Sequence, residues 1–182
     1  NHQVLRPSLA KGVFTMCLGG LTYMLILVSE NVLMMGSIGI GLLYAARGVG
    51  TGIGPIIGRR IFNEEKDWVR AMGFSMIFGG LMYAVVGLTT SIVIMMIFVF
   101  IAHAASGANW VMSTVLLQRR TPDTYRGRIF STEWLLFTLT RSASVLLCSC
   151  ILEKNWLAVQ GTMIVCALML SVSGVIWHVT IT

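Results

Sequence analysis

His103 and Ser106 are the residues whose types could perform covalent chemistry, because a histidine can activate a serine hydroxyl as a nucleophile. They lie three positions apart in one apolar segment, and His178 could supply the base from another segment. At 1.5 Å per residue, the expected depths of Ser106 and His178 differ by roughly 12 Å, which is too far for a hydrogen bond. We therefore expect no hydrolase site and no enzymatic activity.

Cysteine, metal and nucleotide chemistry find no support in the spacing. The four cysteines lie inside apolar segments without metal-ligand partners nearby, and they are Cys17, Cys148, Cys150 and Cys166. Cys148 and Cys150 point in different directions if the segment is a helix. Zinc-ligand spacing, a phosphate-binding glycine loop and a dinucleotide fingerprint are missing from the sequence. We expect no disulfide, no metal and no cofactor.

Two charged residues lie inside the first two apolar segments. Arg47 is near the middle of the second segment, where a charge costs about 2–3 kcal/mol or more unless it meets a partner or water. It therefore either forms a structural ion pair or faces a solute cavity. Glu30 lies toward the outer end of the first segment. It is either a proton-binding carboxylate that couples transport or a residue at headgroup depth.

Glu133 and Arg141 form the next charged group, two helical turns apart on nearly the same face of the fifth segment. Their separation is about 12 Å along the axis, so they could line one polar stripe without bonding directly. Alternative partners for Glu133 are Arg126 and Arg128. Such a pair would either close an inner gate or act as a loop-to-helix salt bridge of modest energy.

The elements that must position these residues are membrane-spanning helices. Hydrophobic residues make up 56% of the 182 residues and charged residues only 11%, against roughly 25% charged in a soluble domain. Six apolar segments, each near the length needed to span a bilayer, cover residues 13–35, 39–61, 71–88, 92–117, 129–152 and 156–181. We expect all six segments to be helices, because open strands leave backbone groups without hydrogen-bond partners in lipid. The sequence predicts an all-α membrane protein with the lipid bilayer as its main partner.

Positive charge recurs in the polar stretches that precede the first segment and follow the second and fourth. Arg6 and Lys11 form the first group, Arg59 and Arg60 belong to the second, and residues 119–128 form the third. The positive-inside rule places these stretches and both ends of the chain in the cytoplasm. The net charge of +6 is therefore interpreted as topology control, and we expect no nucleic-acid partner.

Glycine spacing in the second segment predicts close helix packing. Gly50, Gly54 and Gly58 recur every four residues and would form one smooth ridge that a neighbouring helix can approach. The alternative is a seam along which helices slide during transport. The six helices also divide into two sets of three with opposite orientation, which is the outline of a 3+3 inverted repeat.

One polar stretch carries a family resemblance. Its matching residues are Pro122, Asp123, Arg126, Gly127, Arg128, Phe130 and Ser131. The stretch resembles the loop between helices ten and eleven of bacterial major facilitator superfamily (MFS) drug exporters, whose pattern is close to Pro-Asp/Glu-x-x-Arg-Gly-Arg-Val-Phe-Ser. Gly54-Pro55-x-x-Gly58-Arg59-Arg60 is similar to a degraded form of the loop motif between helices eight and nine. The whole chain thus resembles the C-terminal six-helix half of such a transporter.

The resemblance implies alternating access between two six-helix bundles, of which the N-terminal half would lie upstream in the same protein. The first and fourth helices would line the cavity, which makes Tyr23, Asn31, His103, Asn109 and Trp110 candidates for it, beside Arg47 and Arg141. The expected function is a secondary active transporter of the bacterial inner membrane that exports small amphipathic molecules. The alternative is a homo-oligomeric six-helix channel or a membrane scaffold without transport.

Overall fold

The computed structural model describes the backbone of residues 2–62 and 64–181 and the side chains of residues 11–62, 64 and 67–180. These residues form six α-helices and no strand. The helices are α1 (His2–Asn31), α2 (Gly36–Ile61), α3 (Glu65–Leu88), α4 (Ile92–Arg120), α5 (Asp123–Glu153) and α6 (Val159–Ile181). Each contains a stretch that is long and apolar enough to cross a bilayer, so the chain is a multi-pass membrane protein.

The helices do not end where the apolar segments end. Helix α1 begins at His2 instead of residue 13, α3 at Glu65 instead of 71, and α5 at Asp123 instead of 129. Helix α4 continues to Arg120 instead of stopping at residue 117. Apolar composition marks only the part of a helix that lies in lipid, while the backbone hydrogen-bond ladder continues into the polar turns. The apolar segments therefore locate the six spans but not the ends of the helices.

The turn between α1 and α2 depends on two residues with left-handed backbone conformation, Met34 (φ 55°) and Gly36 (φ 52°). Glycine adopts this conformation without a steric penalty. The hydroxyl of Ser29 donates a 2.7 Å hydrogen bond to the carbonyl oxygen of Gly36, which ties the turn to the last part of α1. The break that separates the first two spans therefore has a local cause.

Four of the helices enclose the core. Helix α1 packs on α2, α4, α5 and α6, α3 packs on α4 and α6, and α2 packs on α4. Leu43 of α2 and Cys148 of α5 add to the shared core at its edge, and most of it comes from α1, α3, α4 and α6: Leu21, Met24, Leu25, Val28, Tyr83, Val86, Met95, Val99, Met163 and Ala167. Helices α2 and α5 flank this core, and only 17% of the apolar window of each is buried, against 67% for α1. Their outer faces are therefore open in this chain.

The glycine ridge of α2 lies directly against α4. A Cβ atom at Gly54 would overlap the carbonyl oxygen of Ala104, and one at Gly58 would lie 2.7 Å from the Cβ of Ala108. A Cβ atom at Gly50 would likewise overlap the backbone carbonyl oxygen of Phe100 in α4. In lipid, helices associate through such close van der Waals contact, because burial of apolar surface from lipid gains little.

We use two names for the ends of the bundle. The arginine-rich end is where α2 and α4 stop and where α3 and α5 begin, with Arg59, Arg60, Arg119 and Arg120 in the last turns of α2 and α4. The opposite end contains the turns between α1 and α2, α3 and α4, and α5 and α6.

Candidate functional site

A chain of polar contacts crosses from α5 through α1 to α2 near the middle of the membrane. The Nη2 atom of Arg141 donates a 3.2 Å hydrogen bond to the hydroxyl of Thr22. The hydroxyl of Tyr44 donates a 3.0 Å bond to the backbone carbonyl of the same threonine. The Thr22 hydroxyl itself donates back to the carbonyl oxygen of Gly19 at 2.9 Å, which leaves its oxygen oriented to accept from Arg141. Thr22 therefore links α2 and α5 through α1.

Arg47 extends this chain of contacts on α2. The Cζ atom of its guanidinium lies 5.2 Å from the centre of the Tyr44 ring, which is cation–π distance. Its Nε atom is buried and has no hydrogen-bond partner among the described residues. The remainder of the side chain is partly exposed, and Arg141 is exposed as well. Both guanidinium groups are thus available to something outside the contacts that the bundle provides.

Tyr83 and His103 form a buried pair within electrostatic range of the two arginines. The Tyr83 hydroxyl and the Nε2 atom of His103 are 2.7 Å apart, and each residue is only 1% exposed. Arg47 and Arg141 are both near enough to this pair to interact with it electrostatically. We call the six residues Thr22, Tyr44, Arg47, Tyr83, His103 and Arg141 the mid-span cluster.

The cluster lies near the membrane midplane. Arg47, His103 and Arg141 are each about eleven or twelve residues from the helix end at the opposite side, which is roughly 17 Å of helix. The hydrocarbon core is about 30 Å thick, so this depth is close to its centre. The predicted cavity residues Arg47, His103 and Arg141 therefore lie at a similar depth on three helices.

Gly19 makes the position of Arg141 possible. A Cβ atom at Gly19 would lie 2.9 Å from the Cγ atom of Arg141 and 3.1 Å from its Cα atom. Any larger residue on α1 at this position would displace the arginine stem and its backbone. The absence of a side chain there brings α5 close enough for Arg141 to reach Thr22.

A second polar group lies toward the arginine-rich end and is centred on Lys11. The lysine Nζ atom is 3.1 Å from Oε1 of Glu133, and the two side chains are 2% and 3% exposed. Lys11 also donates a 2.8 Å hydrogen bond to the Thr114 hydroxyl. Its ammonium lies 4.2 Å from the ring centre of Trp110 and 4.9 Å from that of Phe137. We call these five residues the lysine cluster, which joins α1, α4 and α5.

The lysine cluster corrects the sequence interpretation of Glu133. The partners considered for it were Arg126 and Arg128, or a stripe shared with Arg141, but its carboxylate pairs with Lys11. Arg126 instead pairs with Asp123 at 2.6 Å, one turn away on the exposed start of α5, and donates to a backbone carbonyl of α4. A buried carboxylate without a partner is costly, so Glu133 requires the buried ammonium group of Lys11, whereas an exposed ion pair such as Arg126 with Asp123 contributes little.

Other predicted residues lie outside the mid-span cluster. Tyr23 is half-buried and packs against the apolar core. Glu30 and Asn31 are exposed at the end of α1, a position that fits the headgroup alternative for Glu30. Asn109 is 2% exposed, and its Oδ1 atom has no hydrogen-bond partner among the described residues. Trp110 belongs to the lysine cluster, where it also contacts the ring of Trp134.

The remaining loop candidates lie on the surface of the arginine-rich end. Arg59 and Arg60 border an open cleft of about 960 Å³ between α2 and α4, whose wall also includes Trp68. Gly127 and Arg128 are exposed in the first turns of α5. These residues are available for contact with solvent, headgroups or another part of the protein.

The cysteines and the possible metal ligands can also be placed in the fold. The Sγ atoms of Cys148 and Cys166 are 3.7 Å apart, which is a contact between two free thiols, because a disulfide would place them about 2.05 Å apart. Within the described part of the chain, no three histidine, cysteine or acidic side chains are grouped so that they could hold a metal ion.

Six residues of the two clusters were missed by sequence reasoning: Lys11, Thr22, Tyr44, Tyr83, Thr114 and Phe137. Lys11 was interpreted as a topology charge that precedes the first span. The other five have side chains that occur in many apolar helices, so their types alone carry no signal. The position of Tyr44, three residues before Arg47 and therefore on the same helix face, is one signal that could have indicated it.

Comparisons of this chain with protein-family models, curated proteins and solved structures give no match. The two polar clusters are therefore the basis on which a function can be argued.

Proposed function

We propose that this chain is one six-helix half of a secondary active transporter of the MFS type, which moves small amphipathic molecules by alternating access. In this proposal the arginine-rich end faces the cytoplasm of a bacterial cell, and the missing half lies elsewhere in the same protein. The mid-span cluster is its contribution to the solute cavity, and no covalent chemistry is involved.

The mid-span cluster is the observation that carries the proposal. Arg47 and Arg141 lie near the membrane midplane, where ionisable residues are costly and in most proteins line a pathway or a water-filled cavity. A plain structural pair would bond each arginine to a carboxylate, yet their described partners are a threonine hydroxyl and a tyrosine ring. One exposed and one partly exposed arginine at this depth favour a solute pathway over a static scaffold.

The order of helix packing supports the repeat that such a half would have. Helix α2 packs on α4 as α5 packs on α1, and α3 packs on α4 as α6 packs on α1, while α3 and α6 pack on each other. Exchanging each helix with the one three places along the chain leaves these pairings unchanged, whereas the smaller contacts of α1 with α2 and α3 and of α5 with α6 have no comparable counterpart under this exchange among the described residues. An inverted 3+3 repeat requires that symmetry, and secondary transporters bind solutes where their repeats meet.

The open faces of α2 and α5 support a second bundle as the partner. These two helices flank α1 and present most of their surface outward, with exposed side chains such as Ile53 and Leu139. A second six-helix half placed over α1, α2 and α5 would enclose the exposed Arg141 in a central cavity. The resemblance of residues 122–131 to an exporter loop favours efflux as the direction.

The lysine cluster has a place in the same proposal. It joins α1, α4 and α5 at a position closer to the arginine-rich end than the mid-span cluster. If α1 and α4 line the cavity, this ion pair keeps the cytoplasmic half of the bundle rigid while the outer parts rock. The pair acts as an internal brace, because its two charges satisfy each other.

Exposed faces on α2 and α5 would also fit a second copy of this chain, which is the arrangement of a homo-oligomeric channel or scaffold. A channel equalises solute concentrations, whereas a coupled transporter accumulates solute against its gradient. Net flux against the solute gradient therefore identifies a coupled transporter, and flux that only equalises the two sides identifies a channel.

A growth-inhibitor panel tests the proposal in cells that carry or lack the complete gene. Carrying the gene is expected to raise resistance to at least one amphipathic inhibitor. The Arg47→Leu variant should lose that resistance while reaching the membrane at the wild-type level, and Arg70→Leu, at the exposed start of α3, serves as the control. Unchanged susceptibility across a panel of anionic, neutral and cationic inhibitors would remove the transporter proposal.

A further inference from the structure

We propose that the mid-span cluster binds an amphipathic anion, with a carboxylate or sulfonate group held between Arg47 and Arg141. This inference rests on the proposed function, because it names the class of solute that the cavity would take. It follows from the distribution of charge in the chain and from the contacts of the two arginines.

The sequence has no carboxylate at the depth of the cluster. Of its seven acidic residues, six lie between helices or within three residues of a helix end: Glu30, Glu64, Glu65, Asp67, Asp123 and Glu153. The seventh, Glu133, is bonded to Lys11. Among the described side chains, neither Arg47 nor Arg141 makes an ion pair. The cluster therefore holds two positive charges near the membrane midplane that this chain does not neutralise.

Arg47 and Arg141 belong to one chain of contacts in which Tyr44 and Thr22 lie between them, so no acidic side chain separates the two like charges along that chain. Repulsion between like charges is strong where the surroundings are of low polarity. A bound anion between the guanidinium groups would remove both the repulsion and the cost of an uncompensated charge in the membrane.

The chemistry of the surrounding residues fits an acid with an apolar body. A guanidinium group binds the two oxygens of a carboxylate through parallel hydrogen bonds. The Nε atom of Arg47 is buried and has no partner among the described residues, so only the partly exposed remainder of this side chain is accessible to a ligand. The ring of Tyr44 beside Arg47 and the half-buried Leu18, one turn along α1 from Thr22, offer apolar surface to the remainder of the ligand.

A matched pair of dyes tests the inference. Fluorescein and rhodamine 123 share a xanthene ring system, but the first is an anion and the second a cation at neutral pH. Their binding to the purified complete protein in lipid nanodiscs is measured by fluorescence anisotropy. The variants are Arg47→Gln and Arg141→Gln, and the control is Arg70→Gln, which removes an exposed arginine at the edge of the membrane.

Fluorescein is expected to bind at least about tenfold more tightly than rhodamine 123, and each cluster variant should weaken it by about tenfold or more, as the loss of a charge-assisted hydrogen bond would. Rhodamine 123 binding and the Arg70→Gln control should change by less than about twofold. Preferential binding of rhodamine 123, or fluorescein binding that both cluster variants leave intact, would overturn the inference. The second result includes the case in which a carboxylate from the missing half neutralises the arginines.

The same dyes in membrane vesicles separate this inference from the proposed function. Binding of fluorescein without any transport would sink the transporter proposal and leave the anion site in place. Transport of rhodamine 123 without fluorescein binding would overturn the anion site and leave the transporter proposal in place.

Discussion

The ammonium group of Lys11 lies 3.1 Å from the Oε1 atom of Glu133, although the two residues are 122 positions apart in sequence. Both side chains are almost fully buried, and the rings of two aromatic residues lie against the lysine ammonium group. The pair therefore fastens the first helix of the chain to the fifth, which gives a long-range tie whose energy can be measured.

Breaking this pair should be costly. Either Lys11→Met or Glu133→Gln alone should destabilise the protein by about 3–5 kcal/mol, because the remaining charge stays buried without a partner. The double variant Lys11→Met/Glu133→Leu should recover most of that loss. Unfolding in detergent, followed by tryptophan fluorescence, measures the three values. As a control, the exposed pair Asp123 and Arg126 should contribute within about 1 kcal/mol. Equal destabilisation by the double variant would argue against a buried ion pair.

The contact between α2 and α4 leads us to expect opposite effects on stability when alanine replaces two glycines on opposite faces of α2. Gly54→Ala should destabilise the bundle, because the added Cβ would overlap the carbonyl oxygen of Ala104. Gly52→Ala is the matched control, since no atom lies within 4 Å of a Cβ there. Alanine should stabilise that position by about 0.5–1 kcal/mol through its helix propensity. Thermal midpoints in detergent that change alike in both variants would show that α2 does not approach α4 at Gly54.

The hydrogen bond between Tyr83 and His103 can be tested by removing one oxygen atom. Tyr83→Phe should cost about 1–3 kcal/mol, because the Nε2 atom of a buried histidine loses its partner. Tyr23→Phe is the control, since the Tyr23 hydroxyl makes no hydrogen bond with the described residues and the residue is only half-buried. Denaturant or thermal unfolding of the two variants should differ clearly, and equal stability would contradict the buried contact.

Orientation in the membrane is a separate prediction, because the positive-inside rule places the arginine-rich end in the cytoplasm. In a variant whose native cysteines are replaced by serine, Tyr125→Cys should react with a membrane-impermeant maleimide only after the cells are opened. Asn155→Cys, in the turn between α5 and α6, should react in intact cells. The reverse labelling pattern would invert the proposed topology and, with it, the assignment of the lysine cluster to the cytoplasmic side.

The number of helices and the medium around them could be predicted from sequence, because an apolar segment of about 20 residues has few other uses. The helix ends could not, since His2 to Lys11 and Glu65 to Arg70 continue helices in polar sequence that hydropathy does not recognise. The close approach at Gly54 was visible as a spacing of small residues, but the helix that it meets was not.

The mid-span cluster shows a similar division. Arg47 and Arg141 could be selected from sequence, because charges inside apolar segments are rare and costly. Their connection through Thr22 and Tyr44 depends on how α1 lies between α2 and α5, which no local pattern encodes. The Lys11–Glu133 pair was missed for the same reason: a lysine before a span is usually a topology signal, and its partner lies on a helix far along the chain.

Flux in proteoliposomes that contain the complete protein is the most direct test of a coupled solute pathway through the mid-span cluster. Fluorescein and rhodamine 123 are supplied in separate experiments, with a proton or sodium gradient imposed across the membrane. The account predicts that at least one dye accumulates against its own gradient, and that Arg47→Leu abolishes accumulation without reducing insertion. Flux that only equalises the two sides, or equal accumulation by wild type and Arg47→Leu, would contradict it.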